Sequence, residues 1–120
     1  MKTLSCPIVP DLFQIFALLM QMNVEPSPAF RQCAYAIYLT VQDPDRARLP
    51  SKWLYPEVAR HYGVSRIDVE TNIQRVADSA WKGSAPLLRK MAEDMMMGQP
   101  DSEQFILLLA GHFLYFPHAT

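Results

Sequence analysis

The chain has 120 residues, half of them apolar and 19% charged, with a formal net charge of −1. That length and balance fit one domain, residues 1–120, with a real hydrophobic core, and they exclude wholesale disorder. The greasiest stretches, 12–22 and 105–116, fall short of the ~20 apolar residues that a membrane span needs, so no membrane contact is expected.

The N-terminus lacks the apolar run and small-residue cleavage site of a signal peptide, which makes a cytoplasmic location the expectation. Residues 1–9 read as an extended arm. Asp11 then opens an apolar periodic segment, a first helix over 11–22, which Asn23 ends before the break at Pro26 and Pro28. Ser27 followed by Pro28 starts a second helix, because proline is tolerated in a first turn. It runs to about Gln42 with Phe30, Cys33, Ala34, Ile37, Tyr38 and Val41 on one face. Asp43-Pro44-Asp45 stops it, and the charged stretch to Pro50 reads as a loop. A short third helix over Ser51–His61 turns Leu54 and Val58 inward and ends at Gly63. Ser65, with Asp68 three residues on, opens a fourth helix by an acidic variant of the capping box. Gly83 stands where a C-terminal glycine belongs. A fifth helix is expected over Ala85–Met97, closed by Gly98 and Pro100, and a sixth from Asp101 or Ser102 to Phe116. The expected fold is all-α, a compact bundle of about six helices.

Charge is unevenly spread. Residues 46–90 hold nine basic and four acidic side chains, +5, between segments of −2 and −4. A positive centre between acidic ends suits a phosphate-facing surface, although ordinary surface variation gives the same pattern. Within that centre, residues 53–82 have the features of a helix-turn-helix. Ala59 is the small residue where two helices cross, Gly63 tolerates the turn, and Val64 and Val69 anchor the second helix of the pair. Asn72 falls where an apolar residue is usual, and Ile73 is expected to take over. Along the fourth helix Val69, Ile73, Val76 and Ala80 form a buried stripe. Ile67, Thr71, Gln74 and Asp78 lie opposite, with Arg75 and Glu70 on the flanks.

In a DNA reader the N-terminal half of such a helix enters the major groove. Gln74 suits adenine, Arg75 or Arg66 guanine, Glu70 the amino group of cytosine, and Thr71 or Ile67 a thymine methyl. The bland counterpart is a solvated polar face, under which the outward-pointing Ile67 is out of place. Arg46, Arg48, Lys52, Arg60 and Lys82 are the candidate phosphate contacts.

The segment Lys52-Trp53-Leu54-Tyr55-Pro56-Glu57-Val58-Ala59, followed by Val69-Glu70, Ile73 and Ala80-Trp81, resembles the DNA-binding effector domain of the master response regulator of endospore formation. That family carries K-x-L-Y-P-[DE]-[IV]-A ahead of its helix-turn-helix and V-E-x-x-I…A-W in the recognition helix. Ser102-Glu103-Gln104-Phe105-Ile106 is similar to its S-E-F-I segment with one residue inserted. The likeness covers about residues 10–116 in helix order and is specific over 52–81. It implies a six-helix domain that binds a short promoter box, often at paired sites, and contacts RNA polymerase. Base reading is implied at positions 70, 71, 74 and 75. Glu70 keeps the family residue, whereas Thr71 and Gln74 stand where arginines are typical, and Arg75 where histidine is common. The family's receiver domain has no counterpart in these 120 residues.

Other chemistry finds no support. His61, His112 and His118 with Cys6 and Cys33 lack metal-ligand spacing, no glycine-rich phosphate loop occurs, and nothing sets a serine or aspartate beside a histidine. The two cysteines fit free buried thiols better than a disulfide framework. Neither a cofactor nor an enzymatic activity is expected. The last helix is greasy on two faces, Phe105, Leu108, Leu109, His112, Phe113 and Phe116 on one, and Ile106, Leu107, Ala110 and Leu114 on another. It is either a central core helix or a homodimer surface, with Ile106, Leu107, Ala110 and Leu114 as the pairing residues. Met95-Met96-Met97 is adaptable packing at a helix end. The expected function is a sequence-specific transcription regulator acting on double-stranded DNA. The alternative is an interaction module that kept the fold, lost DNA affinity and pairs with a regulator or RNA polymerase.

Overall fold

Helix α2 (Pro28–Gln42) is the element around which the others pack. Its start is set locally: Ser27 Oγ accepts the Phe30 amide at 3.1 Å, and Pro28 occupies the first turn, where no intrahelical donor is missed. Of its expected apolar face, Phe30, Cys33, Ala34, Ile37 and Val41 are buried and Tyr38 is half-buried. Gln32, Ala36, Leu39 and Thr40 are buried as well, so the helix is enclosed nearly all round. Two of these are polar, and each makes a side-chain hydrogen bond. Thr40 Oγ1 donates to the Ala36 carbonyl at 2.8 Å, and Gln32 Oε1 accepts from Asn72 Nδ2 at 2.9 Å. The Cys33 thiol is free and fully enclosed, and burial pushes its pKa well above the ordinary thiol range.

The computed structural model describes residues 12–92 and 98–115, and no strand occurs among them. The expected N-terminal arm, Cys6, His118 and the Met95-Met96-Met97 cluster lie outside the described residues. Helix α1 (Leu12–Gln21) buries Ile15 and Leu19 and ends where Asn23 takes a left-handed conformation, φ +65°. The Val24 amide then reaches back to the Leu19 carbonyl at 3.2 Å. Asparagine is one of the few side chains that tolerate this geometry.

The stretch expected as a loop after α2 is in fact wound. Pro44–Arg48 is a short 3₁₀ helix opened by Asp43, and Pro50–Leu54 is a wide π turn that runs directly into α3 (Tyr55–Tyr62). The third helix therefore begins later than Ser51. Pro56 has no N–H to give the Lys52 carbonyl and its ring crowds that oxygen, so the chain passes it in a wider turn, with the Tyr55 amide reaching the Pro50 carbonyl.

The run α4 (Arg66–Ala92) is two helical stretches that meet across a kink, and the break falls next to Gly83, where one is expected. Its single non-helical residue is Ser84, φ −148°, two positions before Pro86. Proline removes a helical donor and crowds the carbonyl of Lys82, which accounts for a bend there. Gly83 serves contact rather than capping. A Cβ on it would lie 3.1 Å from Asn23 Cβ and 3.2 Å from the Met22 carbonyl, so glycine lets α4 meet the end of α1. The described residues thus form five helical elements, the fourth of them two helices joined at the kink, in keeping with the six helices that the sequence reads as.

Helix α5 (Ser102–Tyr115) opens on a reciprocal capping box. Asp101 Oδ1 accepts the Gln104 amide at 2.8 Å, and Gln104 Oε1 accepts the Asp101 amide at 3.0 Å. Its buried residues are Phe105, Ile106, Leu109 and Ala110. The division of this helix into faces is therefore corrected. Ile106 and Ala110 sit in the core and are not available for pairing, Leu114 is half-buried, and of that set only Leu107 is substantially exposed, at 47%. Helix α5 is thus a core helix packed against α2 and α4, one of the two readings that its greasy faces allow.

Candidate nucleic-acid interface

The turn between α3 and α4 is built as the residue types require. Gly63 has φ +68° and ψ +36°, and nothing lies near where its Cβ would be, so the left-handed backbone rather than space demands glycine. The Val64 amide bonds the Ala59 carbonyl at 3.0 Å. Ala59, Val58, Val69, Ile73, Val76 and Ala80 are all buried, which locks α3 against α4. Asn72 is half-buried and spends its amide on Gln32, so the polar residue in an apolar position is tied to the core helix while Ile73 does the packing. Ser65 Oγ accepts the Asp68 amide at 3.0 Å and starts α4 cleanly.

On the outward face of α4 the two halves differ. In the first two turns Ile67, Glu70 and Thr71 are exposed, Ile67 at 67%. Arg66 is exposed too, and one guanidinium N–H donates to the Ser51 carbonyl at 3.4 Å, leaning it toward the turn before α3. Arg75 is exposed on the flank. One turn further on, the same face is covered. The segment leading into α5 lies across Gln74 and Asp78. Gln74 Nε2 donates to Asp78 Oδ1 at 3.0 Å and to the Pro100 carbonyl at 3.4 Å, while its Oε1 accepts the Ser102 amide at 2.9 Å. Gln99 Nε2 also donates to Asp78, and Ser102 Oγ shares a buried 3.1 Å hydrogen bond with the Tyr55 hydroxyl. Burial holds the Tyr55 phenol up at about 12. The geometry thus puts Gln74, expected among the base readers, into a clamp joining α3, α4 and the start of α5. Sequence reasoning gives Tyr55, Asp78, Gln99 and Ser102 no such role. The only sequence signal for the clamp is a pair of hydrogen-bonding residues four apart, which is equally the signature of a solvated face.

The basic residues fall into two groups. Arg46, Lys52 and Arg60 gather with Trp53 around an open cleft of about 490 Å³ that Asp43, Asp45, Pro56 and Glu57 complete. Arg46 donates to the Trp53 carbonyl at 3.2 Å, Lys52 Nζ stands 6.0 Å from the Trp53 ring centre, and Arg60 pairs with Glu57. Arg48 stands beside this group, 3.8 Å from Asp45. Exposed pairs of this kind contribute little to stability and release readily to another anion. Lys82 belongs elsewhere. Sixteen residues along α4 from Arg66 it lies about 24 Å away, in a second basic stretch where Arg89 caps the Trp81 ring at 5.0 Å. The candidate phosphate contacts therefore bracket the exposed half of α4 only at its N-terminal side.

Among the described residues no group of His, Cys, Asp and Glu is placed to hold a metal ion, and no helix is long and apolar enough to cross a membrane. His61 stacks on Tyr35 with ring centres 4.2 Å apart, a packing contact. No curated protein matches the chain. The family model described as sporulation initiation factor Spo0A C terminal matches residues 15–113, nearly the whole of the helical structure, and the chain belongs to that family of DNA-binding regulatory domains.

Proposed function

We propose that this protein is a sequence-specific DNA-binding transcription regulator that inserts the first two turns of α4 into the major groove. The observation that carries the reading is the exposure of Ile67, Glu70 and Thr71 on the outward face of α4, directly after the glycine turn. Glu70 accepts from cytosine, Thr71 offers a hydroxyl and a methyl, and Arg75 and Arg66 reach guanine from the flanks. Arg46, Arg48, Lys52 and Arg60 take phosphates on one side, and Lys82 takes a more distant one if the duplex bends toward it. On this reading the protein works in the cytoplasm on promoter DNA and contacts RNA polymerase.

Binding to a random duplex pool across a salt series tests it. Each phosphate contact contributes about −0.9 to the slope of log K against log salt, so Lys52→Ala and Arg60→Ala should each lower the slope by roughly one while leaving base preference intact. Arg75→Ala should instead relax preference at one position. Binding no tighter than to bulk DNA at low salt, with no enriched sequence, defeats the reading.

A second reading has its own support. Phe13 and Met20 are exposed on one side of α1, Phe13 at 79%, and Leu107 is exposed on α5. Glu70 and Asp68 also offset the arginines of α4. An interaction module pairing with a regulator, with polymerase or with a second copy of itself would present such residues. It predicts a salt-insensitive partner and no duplex enrichment.

A further inference from the structure

Ile67 is the feature that a solvated face leaves unaccounted for. It lies in the first turn of α4, 67% exposed, on a helix whose other β-branched aliphatic residues, Val69, Ile73 and Val76, are buried. A lone exposed aliphatic side chain is ordinary on a protein surface. This one is set apart by its place. Thr71 stands one turn further on along the same stripe, also exposed, and the next two members, Gln74 and Asp78, are covered by the segment before α5. The clamp therefore leaves Ile67 and Thr71 as the exposed centre of that face, with the exposed Arg66, Asp68, Glu70 and Arg75 on its flanks. Both central residues carry methyl groups. Neither guanine nor adenine offers an apolar partner in the major groove, nor does unmodified cytosine, whereas thymine presents its C5-methyl there.

We infer that Ile67 is a specificity-determining residue that selects thymine, its side chain packing on the C5-methyl, with Thr71 beside it. The inference rests on the DNA reading above and names what that helix reads. Gln74 has no part in the selection, because its amide is bonded on both sides within the protein. Side chains four apart on a helix are about 5–6 Å from each other, and stacked bases are about 3.4 Å apart. The thymine under Ile67 therefore lies one or two base steps from the base that Thr71 meets.

The test uses the full chain and a duplex box enriched from a random pool. Each thymine of the box is replaced in turn by deoxyuridine, which keeps the base pair and removes only the methyl. At one position the replacement should weaken binding about fourfold, the value of one buried methyl-sized contact. Ile67→Ala should lose a similar factor on the thymine box, keep its far-UV circular dichroism because the side chain is exposed, and show no further loss with uracil at that position. Indifference of the natural chain to uracil at every thymine, or an enriched box without thymine, overturns the inference and leaves the DNA reading standing. So does a uracil effect undiminished in Ile67→Ala. A chain that enriches no box at all overturns both.

Discussion

A glutamine amide carries two donors and two acceptors on a flexible stem, so the same side chain suits an adenine edge or a backbone clamp. At position 74 the protein supplies the partners itself: the Asp78 carboxylate, the Pro100 carbonyl and the Ser102 amide. Losing the amide leaves the half-buried Ser102 N–H without its acceptor, a cost of about 1–2 kcal/mol. Gln74→Ala should therefore lower the denaturant midpoint by that amount and leave duplex base preference unchanged. Unchanged stability with lost preference would return Gln74 to the readers. Asn72 shows the same logic from the other side. A polar residue at an apolar position of the helix pair is retained by one hydrogen bond to Gln32 on the core helix.

Among the elements, α4 is the one in which local preference and a tertiary contact act at the same place. Glycine at 83 and proline at 86 both weaken a helix, and the helical run is interrupted between them at Ser84 before continuing to Ala92. What holds Gly83 in place is the end of α1, which approaches so closely that Asn23 Nδ2 donates to the Gly83 carbonyl at 3.5 Å. Helix propensity alone makes Gly83→Ala stabilising by up to about 1 kcal/mol. The Cβ clash with Asn23 Cβ and the Met22 carbonyl reverses the sign, because a backbone oxygen cannot move aside as a side chain can. A net loss of about 1–2 kcal/mol is expected in thermal or urea denaturation. Pairing it with Asn23→Gly, which deletes one clashing atom and keeps the left-handed backbone easy, should recover part of that loss. A stabilised Gly83→Ala single variant would show that α1 and α4 are not in contact there.

Across the whole molecule, stability should fall on the alkaline side for a definite reason. Tyr55 is buried and its phenol is raised from 10 to about 12, chiefly by desolvation of the charged form. The folded state then holds that proton more tightly than the unfolded chain. The stabilisation is complete below pH 10 and is lost as pH rises from 10 through about 12. Cys33, raised by burial in the same direction, begins to act at its ordinary value of 9. The denaturation midpoint should therefore decline from about pH 9 upward. Tyr55→Phe should have a lower midpoint near neutrality, having lost the Ser102 hydrogen bond, and a shallower decline above pH 10. An equally steep decline in that variant would assign the alkaline sensitivity to other groups.

Local chemistry along the chain was enough to determine the all-α class, the start of α2 at Ser27, the end of α1 at Asn23, the turn at Gly63 and the buried stripe of α4. Each depends on neighbours within a turn or two, a cap, a left-handed residue or an apolar spacing, and such information is written in consecutive residues. Which residues face outward at the interface was decided elsewhere. Gln74 became a clamp because Pro100 and Ser102, more than twenty positions away, lie across it; Ile106 and Ala110 became core because α2 and α4 pack against α5; Gly83 became a contact because the end of α1 meets it. A helical repeat states that a residue lies on a given stripe, but burial of that stripe is a property of what packs against it. Only the tertiary arrangement brings those partners together.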